Sequence, residues 1–380
     1  MKGLGAKSRF TTVWGGQPRF MTDSPVGGSL TNETPLRLRS GLTNTEGAYI
    51  NSSGNAHLYL AGPVSFIHTG LTQSEIYFHG NVHFTGGITN ETGGPVCFRM
   101  HSGNEWIEGK GMHLSKEFYV DYGGNLNISA PTNNWTMLAS YKAVIVCHAA
   151  NVLAKGKAVR MGGTGVYLAN TSKLSLNGYD QSIGRFYMGW TPAEYPNNYT
   201  TVDSSTPATL EIATDAANND VVQVRFTNAA GLRFDAPGSL TFTNQTSSTK
   251  GTLQVNSGTV RFARGSGWTA TTNVVLAGGT LAVAPGAGAT AFGSTQDVSA
   301  ALLTVVSTNS PTLSIAAGER PTVEMLAVVE DGGKVTWKNP GVYGGSAAGL
   351  SANNTLNWIS GSGTLRVRHG ISGGTMLIIR

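Results

Sequence analysis

The sequence predicts an all-β chain wound as a single-stranded, right-handed parallel β-helix, with about 18–22 residues in each rung. The first observation behind this is a five-residue phrase, Gly-x-apolar-x-apolar. It is clearest at Gly238-Ser-Leu-Thr-Phe, Gly251-Thr-Leu-Gln-Val, Gly258-Thr-Val-Arg-Phe, Gly279-Thr-Leu-Ala-Val, Gly333-Lys-Val-Thr-Trp, Gly363-Thr-Leu-Arg-Val and Gly374-Thr-Met-Leu-Ile. Looser copies stand at Gly62, Gly80, Gly94 and Gly124. Each copy reads as a turn glycine followed by a short strand with alternate side chains inward. The second observation is spacing: Phe242 to Phe262 is 20 residues and Phe262 to Val283 is 21, too long for a hairpin and suited to one coil. The third is composition. Only 12% of residues are charged while 40% are hydrophobic, which excludes disorder. The 51 glycines, with Asn, Ser and Thr between the apolar residues, supply many turns.

Residues 1–45 lack the phrase and hold Trp14, Pro18, Pro25 and Pro35, so they read as an N-terminal cap over an open sheet edge or an irregular lead-in. Residues 46–190 form a β-helix segment with large apolar residues. There Leu58, Ile76, Val96 and Phe118 step by 18, 20 and 22 residues. Val144-Ile145-Val146 reads as a strand buried on both sides. Residues 191–207 break the pattern with Pro192, Pro196 and Pro207, which cannot donate to a ladder, and read as an aromatic, proline-bearing protruding loop or joint. Residues 208–380 form a second segment of Gly-Thr-rich repeats. Val323 to Glu330 is the best helix candidate and still reads as a strand, because Asp331-Gly332-Gly333 follows it closely. About 300 solenoid residues at roughly 20 per rung predict on the order of 15 rungs.

The spelling at residues 238–283 resembles the autotransporter-associated β-strand repeats of bacterial surface proteins. The resemblance covers residues 231–380 well and 46–190 by general pattern. It implies a passenger-type β-helix displayed outside the cell as a stalk or adhesive surface, with surface glycans or cell-surface proteins as partners. The last residues read as a single strand, where the translocator barrel of that family needs many alternating strands. Export by the autotransporter route is therefore not expected of this chain. Met1 to Phe20 has no apolar run of signal-peptide length, and no segment reaches the length of a membrane-spanning helix.

Formal net charge is +5, but Lys and Arg are thinly spread. The densest groups, Arg37-Leu-Arg39 and Arg366-Val-Arg368-His369, alternate with apolar residues and read as outer strand faces. No basic stripe with interleaved aromatics is present, so nucleic acid is not an expected partner. Cys97 and Cys147 lie too far apart in rungs for a disulfide and read as buried thiols. Neither has metal-site spacing, and no metal or cofactor is expected.

Parallel β-helices also suit polysaccharide lyases and glycosidases, which need facing carboxylates. The candidates are Glu105/Glu108, Asp215/Asp220 and Glu324/Glu330/Asp331; solvated turn carboxylates are the expectation for each. Asp215 to Asp220 also reads as a turn or a weak Ca²⁺ loop. His57, His68, His79 and His101 fall on multiples of eleven, which suggests a stacked histidine ladder. Aligning Leu58 and Leu60 with Ile76 and Phe78 removes it and places Glu75 beside His57, although His57 and His83 share an outward face. The one binding candidate is the aromatic stretch Phe186, Tyr187, Trp190, Tyr195 and Tyr199, whose rings either present a platform for sugars or proteins or seal a joint. The expected function is a non-enzymatic bacterial surface or secreted stalk, adhesin or structural element, located outside the cell. A polysaccharide lyase or glycoside hydrolase, and a phage tail-spike or fibre segment, are the alternatives.

Overall fold

The structure, a computed structural model, describes residues 11–13, 29–39, 48–51, 57–67, 74–91, 94–121, 123–162, 172–269, 273–288, 291–292 and 302–370. It is all-β, a parallel β-solenoid of about 10 turns with no α-helix among the described residues. The chain falls into two compact units. One comprises Met1–Trp190 with Asn198–Thr200, the other Thr191–Asn197 with Thr201–Arg380.

In the first unit each turn visits three sheets. Leu36–Arg39 is followed by Ala48–Asn51, then His57–Leu60, then Val64–Ile67, which pairs in parallel back onto Leu36–Arg39. One sheet, called here the tyrosine face, stacks Ala48–Asn51, residues 76–79 and 96–100, Phe118–Asp121, Met137–Ser140, Ala158–Met161 and Arg185–Met188. A second, the histidine face, stacks Ser29–Asn32, His57–Leu60, residues 81–84 and 104–107, Asn125–Ile128, Val144–Cys147 and Lys173–Ser175. Alternation along each strand sends one set of side chains inward, where Phe78, Phe84, Phe98 and Phe118 pack ring against ring. Each such side chain, fully buried, contributes roughly 1.5–3 kcal/mol.

The short turns run from 19 residues, Leu126 to Ile145, to 24, Leu58 to Val82. Insertions lengthen others: 29 residues separate Ile145 from its partner Leu174. These insertions are why the chain makes about 10 turns and not 15. Glycine opens the phrase because the corner is crowded: a side-chain carbon on Gly62 would lie 2.4 Å from the carbonyl oxygen of Thr34 in the turn before it.

Two expectations about register and burial are corrected. Leu58 pairs with Val82 in the histidine face, while Ile76 belongs to the tyrosine face, so the 18-residue step joined two different sheets. Asn81, not Glu75, lies beside His57. In Val144–Cys147 only Ile145 and Cys147 are buried, because Val144 and Val146 occupy the outward positions. Cys97 and Cys147 are both buried free thiols, and burial pushes the Cys147 thiol up.

The second unit repeats the plan with smaller outward residues. Leu240, Val260, Leu281 and Leu313 form one inner column and Leu232, Leu253, Val274, Leu303 and Leu326 another. Trp268 fills the interior against Phe226 and Phe242, its indole N–H donating to Gly251 O at 3.2 Å. Thr322–Val323 and Met325–Val329 are strands, as expected from their sequence. Two phrases leave the parallel stack. Val335–Trp337 pairs antiparallel with Met325–Val329, and Thr364–Val367 lies between Thr322–Val323 and the antiparallel Gly341–Gly344. The Gly374 phrase, His68 and Trp14 lie outside the described residues.

Candidate functional site

Both outward faces of the first unit carry ordered polar and aromatic columns. On the tyrosine face, strand register places Tyr119, Ala139, Arg160 and Tyr187 in successive turns. Tyr141 follows Ser140 into the neighbouring column, and its ring stacks on Tyr119 with centroids 6.0 Å apart and planes 9° from parallel. The Arg160 guanidinium lies 5.5 Å from the Tyr119 ring and 5.3 Å from the Tyr141 ring, and donates to the Tyr141 hydroxyl at 2.6 Å. Arg185 sits 4.3 Å over Tyr187, whose hydroxyl donates to Met137 Sδ at 2.7 Å. Arg99 covers Tyr77 in the same way at 5.6 Å. Each cation–π contact of this exposed kind is worth about 0.5–1 kcal/mol, enough in series to hold the side chains in place. Burial raises the pKa of Tyr119 and Tyr141, and Arg160 opposes that shift, so both phenols stay protonated donors at neutral pH.

On the histidine face Tyr59, His83 and Trp106 occupy one outward column. His83 is stacked between Tyr59, 4.3 Å away, and Trp106, 5.5 Å away and 4° from parallel. His83 Nδ1 lies 3.2 Å from Glu108 Oε2, and His83 Nε2 lies 2.8 Å from His57 Nδ1. With the Glu108 carboxylate accepting from Nδ1–H, His83 accepts from His57, and His57 Nε2 becomes the open end of a carboxylate–imidazole–imidazole relay. Burial lowers the His83 pKa, against the pull of Glu108. His148 caps the stack over Trp106 at 5.0 Å, its Nε2 at 2.9 Å from Asn127 Oδ1. Alongside runs an asparagine ladder: Asn104 donates to Asn81 at 3.1 Å and Asn125 donates to Asn104 at 2.9 Å.

The residues singled out in the sequence are distributed differently. Tyr187 joins the tyrosine face, where it meets Arg185, while Phe186 points into the core. Trp190 is buried, and a side-chain carbon on Gly162 would lie 1.3 Å from its Cζ3, so the indole seals the neighbouring turn. Tyr195 is half-exposed in a turn that donates its N–H to Thr191 O, and Tyr199 is half-exposed next to Thr200–Ala213. Tyr119, Tyr141 and Arg160 gave no signal in the sequence because nothing marks their turns as adjacent.

The acidic candidates do not face one another. Glu105 points into the interior, buried, with neither carboxyl oxygen hydrogen-bonded, while Glu108 lies outside with His83. The expectation of a solvated turn carboxylate is therefore overturned for Glu105, whose register with Val82 and Leu126 is an inward one, and for Asp220, buried in register with Leu240. Glu324 meets His369 and Arg368, Glu330 meets Lys334, and Asp215 is exposed in a turn. Among the described residues no group of three His, Cys, Asp or Glu side chains could hold a metal ion, and no helix is long and apolar enough to cross a membrane. No protein-family model matches the chain, and neither a curated protein nor a solved structure matches it.

Proposed function

We propose that this chain is a non-enzymatic bacterial surface or secreted protein, a stalk or adhesive element whose tyrosine face is the contact surface. The observation that carries the proposal is the interlocked column of Tyr119, Tyr141, Arg160 and Tyr187. Rings and guanidiniums held in register lose little freedom on binding, and their hydroxyl and N–H groups are donors suited to glycans and protein surfaces. The resemblance of residues 231–380 to autotransporter-associated repeats supports display outside the cell.

The test is binding of the purified chain to intact bacterial and host cells and to an immobilised glycan array, with Arg160→Ala/Tyr187→Ala as the comparison. Binding that falls at least tenfold in the variant, with no reducing sugar or unsaturated product released from any glycan, is the expected result. Turnover of a polysaccharide, or binding indifferent to the variant, would overturn the proposal.

A further inference from the structure

The basic group Arg366-Val-Arg368-His369 lies where the second unit abandons the parallel stack. Along Thr364–Val367, Leu365 and Val367 are buried and Arg366 is exposed, so Arg366 and Arg368 share the open face of the small mixed sheet. Their strand is flanked by Thr322 on one side and Val342 on the other. A cleft of about 660 Å³ opens there, lined by Arg320, Gly341, Val342, Arg366, Arg368 and His369 among others.

The charges in this cleft are poorly balanced. Among the described residues Glu324 is the one carboxylate that meets them, touching His369 and lying 3.8 Å from Arg368. Glu319, adjacent in sequence to Arg320, is held elsewhere by the N–H groups of Gly286 and Gly288, each at 2.7 Å. The guanidiniums of Arg320 and Arg366 have no ion-pair partner among the described residues. Three guanidiniums and an imidazole facing one carboxylate make an anion site, and guanidinium is the group best matched to carboxylate and sulfate oxygens.

The spacing narrows the ligand. Residues two apart on a strand are separated by roughly 6.6 Å, a spacing that suits Arg366 and Arg368 to groups that recur along a ligand. The cleft volume lies within the range of about 300–1,000 Å³ that accommodates small organic ligands, more than a lone sulfate fills. Gly341 and Val342 supply an uncharged wall. Among the described residues no Phe, Tyr or Trp lines the cleft, so none of them stacks a nucleobase there.

We infer that this cleft binds a segment of acidic oligosaccharide, with Arg366 and Arg368 taking carboxylate or sulfate groups on successive sugars and Arg320 reinforcing the Arg366 end. The inference goes beyond the surface-contact reading and stands whether or not the tyrosine face binds anything.

The experiment is calorimetric titration of the full chain with trigalacturonate and with a heparin hexasaccharide, one carboxylate-bearing and one sulfate-rich. Maltohexaose, inorganic sulfate and a DNA hexanucleotide serve as comparisons. At least one acidic oligosaccharide should bind, at least tenfold more tightly than all three comparisons. Arg320→Gln/Arg366→Gln should lose at least tenfold in affinity at an unchanged melting temperature, and Arg261→Gln, on an exposed position of another strand, should lose none. Glu324→Gln removes the competing carboxylate and should tighten binding a few-fold, which a purely structural role would not produce. If the double variant does not fold, Arg366→Gln alone, fully on the surface, decides. Sulfate or DNA bound as tightly as the sugars, no binding of either acid, or affinity indifferent to Arg366 would each overturn the inference.

Discussion

The two units share an apolar inward code, and one column of the first departs from it at a single position. In the second unit the column Leu232, Leu253, Val274, Leu303 and Leu326 is apolar throughout. In the first, the column Leu58, Val82, Glu105, Leu126 and Ile145 carries a carboxyl at its centre. The outward codes differ more widely. The first unit sets Tyr, His, Trp, Arg and Asn into columns that bond to one another, while the second sets mostly Thr, Ser, Gln and Arg. Stacking needs only that inward residues be apolar and of similar size, since the backbone ladder is indifferent to what points outward. Departures from apolar stacking, inside at Glu105 and Asp220 and at the mixed sheet of the second unit, are therefore where specific chemistry is to be sought.

Making the first unit's column like the second's should have the largest effect. Glu105 is buried and unpaired, with Gly124 beside its carboxyl, and burial raises that carboxyl to about 9. In the unfolded chain a Glu titrates near 4.3, so between these values the folded state holds a proton that the unfolded state has released. The unfolded state binds fewer protons, and stability falls with rising pH by about 1.4 kcal/mol per unit. The penalty is absent below the unfolded value and complete above about 9. Urea unfolding at pH 5 and pH 8 should show this loss in the native chain and its removal in Glu105→Gln. Glu105→Leu should in addition be the more stable chain at pH 8 by several kcal/mol. Equal slopes in the native chain and Glu105→Gln would show that the carboxyl is solvated.

The histidine face offers a smaller test of opposite sign. Burial depresses the pKa of His83, with Glu108 opposing and His57 adding to the shift, and burial likewise depresses His148. An unfolded His binds its proton at higher pH than these do, so stability is present above about 6.5 and is lost as pH falls through the folded values. His83→Phe keeps a ring between Tyr59 and Trp106 but cannot titrate. Its melting temperature should fall less between pH 7 and pH 5 than that of the native chain. An imidazole signal for His83 titrating above 6.5 would reverse this account.

The fold was legible because burial writes itself into the repeat: Phe242, Phe262 and Val283 sit in register as their spacing implied. What was not legible was the length of the connections. Leu58 and Ile76 look equivalent in spelling, yet one turn visits three sheets, and only the insertions decide which strand meets which. The same blindness hid the tyrosine face, since Tyr119, Arg160 and Tyr187 are separated by turns of unequal length. The His57–His79–His101 ladder, already set aside in the sequence, is absent: His79 pairs with Ser102 across a register shift, and the partner contacts of His57 go to His83 and Tyr59. Glu105 was misread because a lone carboxylate on a strand is almost always outward, and only the parity of its neighbours Asn104 and Trp106 places it inside.

The asparagine ladder gives the finest test of whether outward columns matter to stability. Asn104 both donates to Asn81 and accepts from Asn125, so Asn104→Ala removes two side-chain hydrogen bonds and leaves its two neighbours half-paired at a part-buried position. Net values near 0.5–1.5 kcal/mol per bond, reduced where water can replace the partner, predict a loss of about 1 kcal/mol. In the second unit the comparable outward position Thr259, beside Ser239, has no such chain of side-chain bonds, and Thr259→Ala should change stability by less than about 0.5 kcal/mol. Denaturant midpoints for the two variants measured side by side decide the matter. If both losses are small and equal, the outward columns of the first unit contribute nothing that backbone stacking does not already supply, and their order must be explained by what they bind.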